Sequence, residues 1–141
     1  MTKLNQLYQE QKIKLLKAID HLDYSYHKIL QLPVTLEALD EEMLETWESF
    51  AARFSRVADI FLTKYIRASV LLDDPGFSGS LRDFLDQAEK LGVLEDVNSW
   101  MGIRELRNIS AHEYTEKDLS IFFERIKQEA PRLIKIKSIL R

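Results

Sequence analysis

The chain has 141 residues, 45% of them hydrophobic and 30% charged, so we expect residues 1–141 to form one domain with a single core. The absence of cysteine excludes disulfides, thiolate metal sites and a thiol nucleophile, and the net charge of −3 argues against a strongly basic nucleic-acid-binding domain. The first ten residues are too polar for a signal peptide and no apolar run approaches the ~20 residues of a membrane span, so we expect a cytoplasmic protein without a membrane partner.

The first predicted element is a long amphipathic helix from Leu4 to Leu30. Its apolar residues recur at helical spacing, at Leu4, Leu7, Tyr8, Leu15, Ile19, Leu22, Tyr26, Ile29 and Leu30. Pro33 interrupts this pattern, because proline lacks a backbone donor and disfavours helical geometry in the residue before it. With only four glycines and three prolines in the chain, an all-α fold is the expected class.

The second predicted helix has the clearest pattern. Its apolar residues follow alternate steps of three and four, at Leu44, Trp47, Ala51, Phe54, Ala58, Phe61, Tyr65, Ala68 and Leu72. This heptad seam is typical of helices that pack closely in bundles, so its aromatic residues are interpreted as core or dimer packing. Acidic residues at Asp40, Glu41 and Glu42 suit the start of this helix. Arg56 and Asp59 lie outside the seam, where we expect solvent exposure, although either could line a site.

Three more helices are predicted after the turn-forming residues 73–79. Ser80 is a plausible N-cap of a short helix that ends near Gly92. The next helix covers about Leu94 to Ile109, with inward-facing Val97, Trp100, Met101 and Leu106. A capping-box-like segment from Thr115 to Asp118 opens the last helix, whose apolar positions are Leu119, Phe122, Ile126, Leu133, Ile136 and Leu140. Pro131 should kink that helix or end its regular part. The predicted architecture is an up-and-down bundle of four long helices plus one short inserted helix.

Polar residues crowd the boundary between the last two long helices, at Arg104, Arg107, Asn108, Ser110, His112, Glu113 and Tyr114. Arg107 offers a fixed positive charge that suits phosphate, and His112 can exchange a proton near neutral pH. Together they have the chemistry to cleave RNA: the histidine as general base or acid, and the arginine stabilising charge at the phosphorus centre.

Spacing along a helix limits this idea. Residues five apart in a regular helix point about 140° away from each other, so Arg107 and His112 would not converge within one straight helix. Either the helix ends between them, or a second subunit completes the site. The residues do not decide between these alternatives.

The pattern of Arg107, Asn108 and His112 resembles the signature of the HEPN superfamily, in which a polar residue follows the arginine and a histidine lies four to six residues beyond it. With Tyr114 added, it is similar to the motif of HepT-type toxins and of the related nucleotidyltransferase substrate-binding proteins. The segment from Ser80 to Trp100 also resembles the family's sequence before its motif, and the resemblance covers about Trp47 to Ile126.

The resemblance implies a helical homodimer whose two motifs form a metal-independent endoribonuclease site that needs no cofactor. Arg107 and His112 would be catalytic and Asn108 orienting, while Tyr114 and Arg104 would be the modification or substrate-binding positions. The partners implied are RNA as substrate and a small nucleotidyltransferase antitoxin, which would silence the toxin by transferring AMP groups to Tyr114.

Other interpretations use the same residues. The chain would alternatively be a non-catalytic substrate-binding subunit of a two-component nucleotidyltransferase, or a helical adaptor without chemistry. In the substrate-binding subunit, the motif would be a docking surface with Tyr114 as the acceptor. In a chain without chemistry, Arg107 would be a surface arginine paired to Glu105 or Glu113, and His112 a histidine at a helix end whose hydrogen bonds are satisfied. His21 and His27 are six apart and not on one helix face, so no metal site is predicted.

Overall fold

The protein is described by a computed structural model that covers residues 2–109 and 115–140. All regular elements in these ranges are helical, which confirms the predicted all-α class. They are α1 (Lys3–Ile29), a 3-10 turn (Leu36–Ala38), α2 (Glu41–Asp59), a π-helical turn (Ile60–Tyr65), α3 (Ile66–Asp73), α4 (Leu81–Lys90), α5 (Val97–Ile109), α6 (Glu116–Lys135) and a last 3-10 turn (Ile136–Ile139).

Most helices begin where a short polar side chain can cap them, as the sequence predicted. Asp40 accepts a hydrogen bond from the backbone nitrogen of Met43 at 2.8 Å, so the acidic residues before α2 serve the helix start. Ser80 and Asp83 form a reciprocal capping box at α4, and Thr115 accepts from the backbone of Asp118 at α6.

The predicted second helix is α2, the π-helical turn and α3 in direct succession. A π turn holds about one residue more than an α turn, which rotates the residues after it around the helix axis. Most seam residues from Trp47 to Ala68 are buried, but residues outside the seam are fully buried on both sides of the π turn, at Phe50, Val57, Ile66 and Val70. The last seam residue, Leu72, is 38% exposed. The seam therefore predicts part of the core and fails at Leu72.

Aromatic side chains of α2 and the π turn hold the centre of the bundle. Trp47 stacks on Phe123 of α6 with ring centroids 4.8 Å apart and donates from Nε1 to the carbonyl oxygen of Pro33 at 2.9 Å. Phe61 lies 4.8 Å from the ring of Trp100 on α5. The aromatic residues of the seam are thus core residues of this chain, and burying such rings dominates core energetics.

Two predicted helix limits are wrong. The fourth long helix was expected from about Leu94, but α5 begins at Val97, because Asp96 has a positive φ of 60° and its carboxylate bonds the backbone nitrogen and hydroxyl of Ser99. The last helix does not end its regular part at Pro131. It continues to Lys135, since the buried neighbours Ala130 and Leu133 hold it against the core and proline removes a single backbone donor.

None of the helices in the described ranges is both long enough and apolar enough to cross a bilayer.

Candidate functional site

The centre of the candidate site is an ion pair between two helices. Arg107, in the last turn of α5, donates from Nε to Oδ1 of Asp59 at 2.6 Å, and Asp59 is the last residue of α2. Their side chains are 31% and 44% exposed, so the pair lies at the edge of the bundle, partly screened from water. A charge-assisted bond of this length fixes where the guanidinium lies.

The same contact governs the charge of Arg107. The hydrogen bond from Asp59 raises the pKa of the Arg107 guanidinium, and its attraction to the carboxylate acts in the same direction, while partial burial opposes both. Arg107 is therefore a permanent cation, as its chemistry at a phosphate would require.

A small cavity of about 50 Å³ adjoins the ion pair. Its lining contains three residues that the sequence analysis selected, Arg104, Arg107 and Asn108; the others are Ala58, Asp59, Leu62 and Thr63. Arg104 and Arg107 are half-buried, and Asn108 is exposed. Pockets that enclose a small ligand usually exceed ~300 Å³, so this one is too small for a nucleotide. A substrate would lie across the surface and reach the arginines with a phosphate.

The backbone next to this cavity is the π-helical turn. Thr63 donates from Oγ1 to the carbonyl oxygen of Asp59 at 2.6 Å, which occupies a carbonyl at the junction between α2 and the π turn. Such turns often occur at functional sites, because the extra residue re-aims the side chains beside it. Here it lies directly after the carboxylate that holds Arg107.

Two of the predicted site residues, His112 and Tyr114, lie outside the described residues, as does Glu113. The structure therefore gives no distance between Arg107 and His112. Glu105, one of the two acidic residues considered as a partner of Arg107, is exposed. The structure pairs Arg107 with Asp59, which lies on a different helix. The side chain of Asp59 is 44% exposed and also lines the small cavity, which combines the two possibilities that the sequence left for it.

Sequence reasoning considered Asp59 for the site but did not select it. One signal pointed to it: Asp59 is the only charged residue between Val57 and Leu62, in an otherwise apolar stretch. A carboxylate in such a stretch needs a partner, because burial without one is costly. Nothing in the sequence identified that partner as a residue 48 positions later.

The other candidates take structural or surface positions. His27 lies with Nδ1 2.8 Å from the carbonyl oxygen of Asp23, one turn earlier in α1, and His21 is exposed. Within residues 2–109 and 115–140, no group of three or more His, Asp or Glu side chains is placed to hold a metal ion.

A larger cleft, of about 570 Å³, lies away from the motif and shares none of its lining with the small cavity. Its lining mixes charges of both signs, with Glu95 and Asp96 against Arg132 and Lys135. The guanidinium of Arg132 already lies over the Trp100 ring, 5.8 Å from its centroid. Size alone favours this cleft, but its mixed lining defines no class of ligand, so the Arg107 cavity remains the candidate site.

Comparisons of the chain with protein-family models, with curated proteins and with solved structures find no match.

Proposed function

We propose that this chain is a HEPN-type, HepT-like toxin, a metal-independent endoribonuclease in which Arg107 and His112 act on RNA. The observation that carries the proposal is the anchoring of Arg107. The motif arginine is bonded to Asp59 at 2.6 Å and borders a small cavity with Arg104 and with Asn108, the polar residue that follows it in the motif. A surface arginine without a task is usually solvated, whereas this one is bonded to a carboxylate on another helix.

The proposed reaction needs no metal and no cofactor. His112 removes the proton from a ribose 2′-hydroxyl, the 2′-oxygen forms a bond to phosphorus, and the bond to the 5′-oxygen breaks. The leaving oxygen takes up a proton, which gives a 2′,3′-cyclic phosphate and a free 5′-hydroxyl. Arg107 stabilises the negative charge that develops on the phosphoryl oxygens, and Asp59 acts through Arg107 as a positioning residue.

A homodimer is part of the proposal, because of the angular argument for Arg107 and His112. Residues five apart on a straight helix diverge by about 140°, and a two-fold axis beside the motif would bring the arginine of one subunit to the histidine of the other. Tyr114, two residues after His112 in the sequence, is then the position at which a nucleotidyltransferase partner would add AMP. The added phosphate would compete with RNA for Arg107.

The test is incubation of the purified chain with total RNA and with tRNA in EDTA. We expect cleavage by the wild type and loss of cleavage in Arg107→Ala and His112→Ala, with cyclic phosphate ends on the products. The matched controls are Arg125→Ala and His27→Ala, which change exposed residues of the same types elsewhere in the chain and should cleave normally.

Oligomeric state must be equal in all five proteins, since a variant that fails to assemble would lose activity for a different reason. No cleavage by the wild type would refute the nuclease and favour the substrate-binding subunit of a nucleotidyltransferase. Cleavage that survives both site variants would show a contaminating nuclease.

A further inference from the structure

A groove between α1 and α2 carries a cluster of positive charge on a chain whose net charge is −3. The groove has a volume of about 310 Å³, and its rim consists of Lys14, Lys17 and His21 from α1 and Arg56 from α2. Ala18 and Ile60 form its floor. The three rim residues of α1 are spaced i, i+3 and i+7, so they share one face of the helix.

In the part of the chain that the structure describes, these cations have no acidic partner. Among residues 2–109 and 115–140, no carboxylate forms an ion pair with Lys14, Lys17 or Arg56, although Asp20 on the same helix pairs with Lys137 at 2.6 Å. All three are exposed. Unpaired like charges along one groove repel each other, so the arrangement favours a polyanion that neutralises several of them together.

Arg53 of α2 connects the two helices near the groove, although it does not line it. It donates from Nη1 to the carbonyl oxygen of His21 at 3.1 Å and to Oγ of Ser25 at 2.7 Å, which ties α2 to α1 beside the cationic rim. These hydrogen bonds and the buried core residues of both helices hold α1 against α2, and none of these contacts involves the exposed lysines. Removing the lysines should leave the fold intact.

The groove is next to the candidate site. Arg56 and Ile60 border the groove, and Asp59, which lies between them on the same helical turn, holds Arg107 on the side facing α5. The groove and the Arg107 cavity share no lining residue, so a strand that occupied both would have to cross the surface of α2 near Arg56 and Asp59. The α1 row spans roughly 10 Å from Lys14 to His21 at 1.5 Å per residue, about the length of three stacked nucleotides at 3.4 Å each.

We propose that this groove binds the phosphate backbone of single-stranded RNA and leads it to Arg107. The choice of RNA rests on the proposed nuclease function, whereas the charge pattern calls for a polyphosphate backbone. Contacts of this kind position a strand without reading its sequence, so we expect weak sequence preference and strong salt dependence.

The test measures binding of a fluorescent, single-stranded 2′-O-methyl RNA of about 12 nucleotides by anisotropy. This strand has no 2′-hydroxyl to attack, so binding is measured without cleavage. The variant is Lys14→Gln/Lys17→Gln/Arg56→Gln, and the control is Lys3→Gln/Lys90→Gln/Arg125→Gln, which removes three exposed positive charges elsewhere.

Each phosphate contact on a single strand contributes roughly 0.7 to the slope of log affinity against log salt, so the groove variant should lose about 2 from that slope. Its affinity at about 0.1 M salt should fall on the order of 10- to 100-fold, while the control changes little. Equal losses of affinity in the two variants would show that the effect comes from net charge alone, and would overturn the proposal that the groove binds RNA.

Two further results would also overturn it: no binding by the wild type, or a groove variant whose oligomeric state changes while its affinity does not. The latter would make the groove an interface between copies of the chain. A wild type that binds with a steep salt slope but cleaves no RNA would refute the nuclease and support the groove.

Discussion

The ion pair between Arg107 and Asp59 allows a quantitative prediction. A hydrogen bond to a charged group typically contributes about 1.5–3 kcal/mol when buried, and an exposed ion pair about 0.2–1 kcal/mol. The two side chains are 31% and 44% exposed, between these limits. Discounted for solvent screening, the pair should have a coupling energy of about 1 kcal/mol.

A double-mutant cycle measures this coupling with Asp59→Asn, Arg107→Gln and the double variant. Each single variant should lower the free energy of unfolding by about 1 kcal/mol, which corresponds to a melting temperature lower by about 3 °C for a chain of this size. The double variant should lose little more than either single one. Urea unfolding followed by the fluorescence of the buried Trp47 and Trp100 gives all four free energies.

The matched control is the pair of Lys137 and Asp20, which has the same 2.6 Å separation but side chains that are 56% and 58% exposed. Its cycle, with Asp20→Asn and Lys137→Gln, should give a clearly smaller coupling energy. A coupling of less than ~0.2 kcal/mol for Arg107 and Asp59, or equal values for the two pairs, would refute the argument that partial burial anchors the arginine.

Three other predictions use different parts of the molecule. If the arginine of one subunit and the histidine of the other form each site, mixing inactive Arg107→Ala and His112→Ala proteins should restore about a quarter of the wild-type cleavage rate. Half of the dimers would then be mixed, and each mixed dimer would contain one intact site of two. No restoration would mean that each site lies within one chain. The hydrogen bonds from the backbone and hydroxyl of Ser80 lower the pKa of Asp83. The stabilisation of α4 by the Asp83 carboxylate should therefore be complete above the unfolded pKa of about 3.9 and lost as pH falls through the lower folded pKa. Unfolding of wild type and Asp83→Asn at high and low pH checks this, and a stability difference between the two proteins that grows on acidification would contradict it. Trp47→Phe should lower the free energy of unfolding by about 2 kcal/mol, because it leaves the carbonyl oxygen of Pro33 without its donor and removes ring area from the stack on Phe123. A loss below ~0.5 kcal/mol in urea unfolding would show that neither contact contributes to stability.

The helices could be predicted from the sequence because their determinants are local. A cap such as Ser80 bonds a backbone group three residues away, and the apolar seam from Trp47 to Phe61 repeats within one helix. The errors occur where non-local contacts compete with these rules. Pro131 remains inside α6 because its neighbours are buried against the core, and Leu72 is exposed although it continues the seam.

The residues of the candidate site, too, were found partly from the sequence and partly from the structure. Arg107 and Asn108 were selected from a pattern of adjacent residues, and the structure brings them together with Arg104 at one cavity. Asp59 was considered and set aside, because its position outside the seam is equally typical of a solvated carboxylate. His112 and Tyr114 remain sequence predictions.

The sequence by itself determined the all-α class, most helix limits, the apolar core and the motif residues, because helical periodicity and capping depend on neighbours within about one or two turns. Only the tertiary structure decided that Asp59 holds Arg107 from 48 residues away, and that Lys14, Lys17 and Arg56 share a groove. Both features depend on how α2 is rotated against α1 and α5. That rotation is set by the packing of the whole core and by the π turn, and no local pattern encodes it.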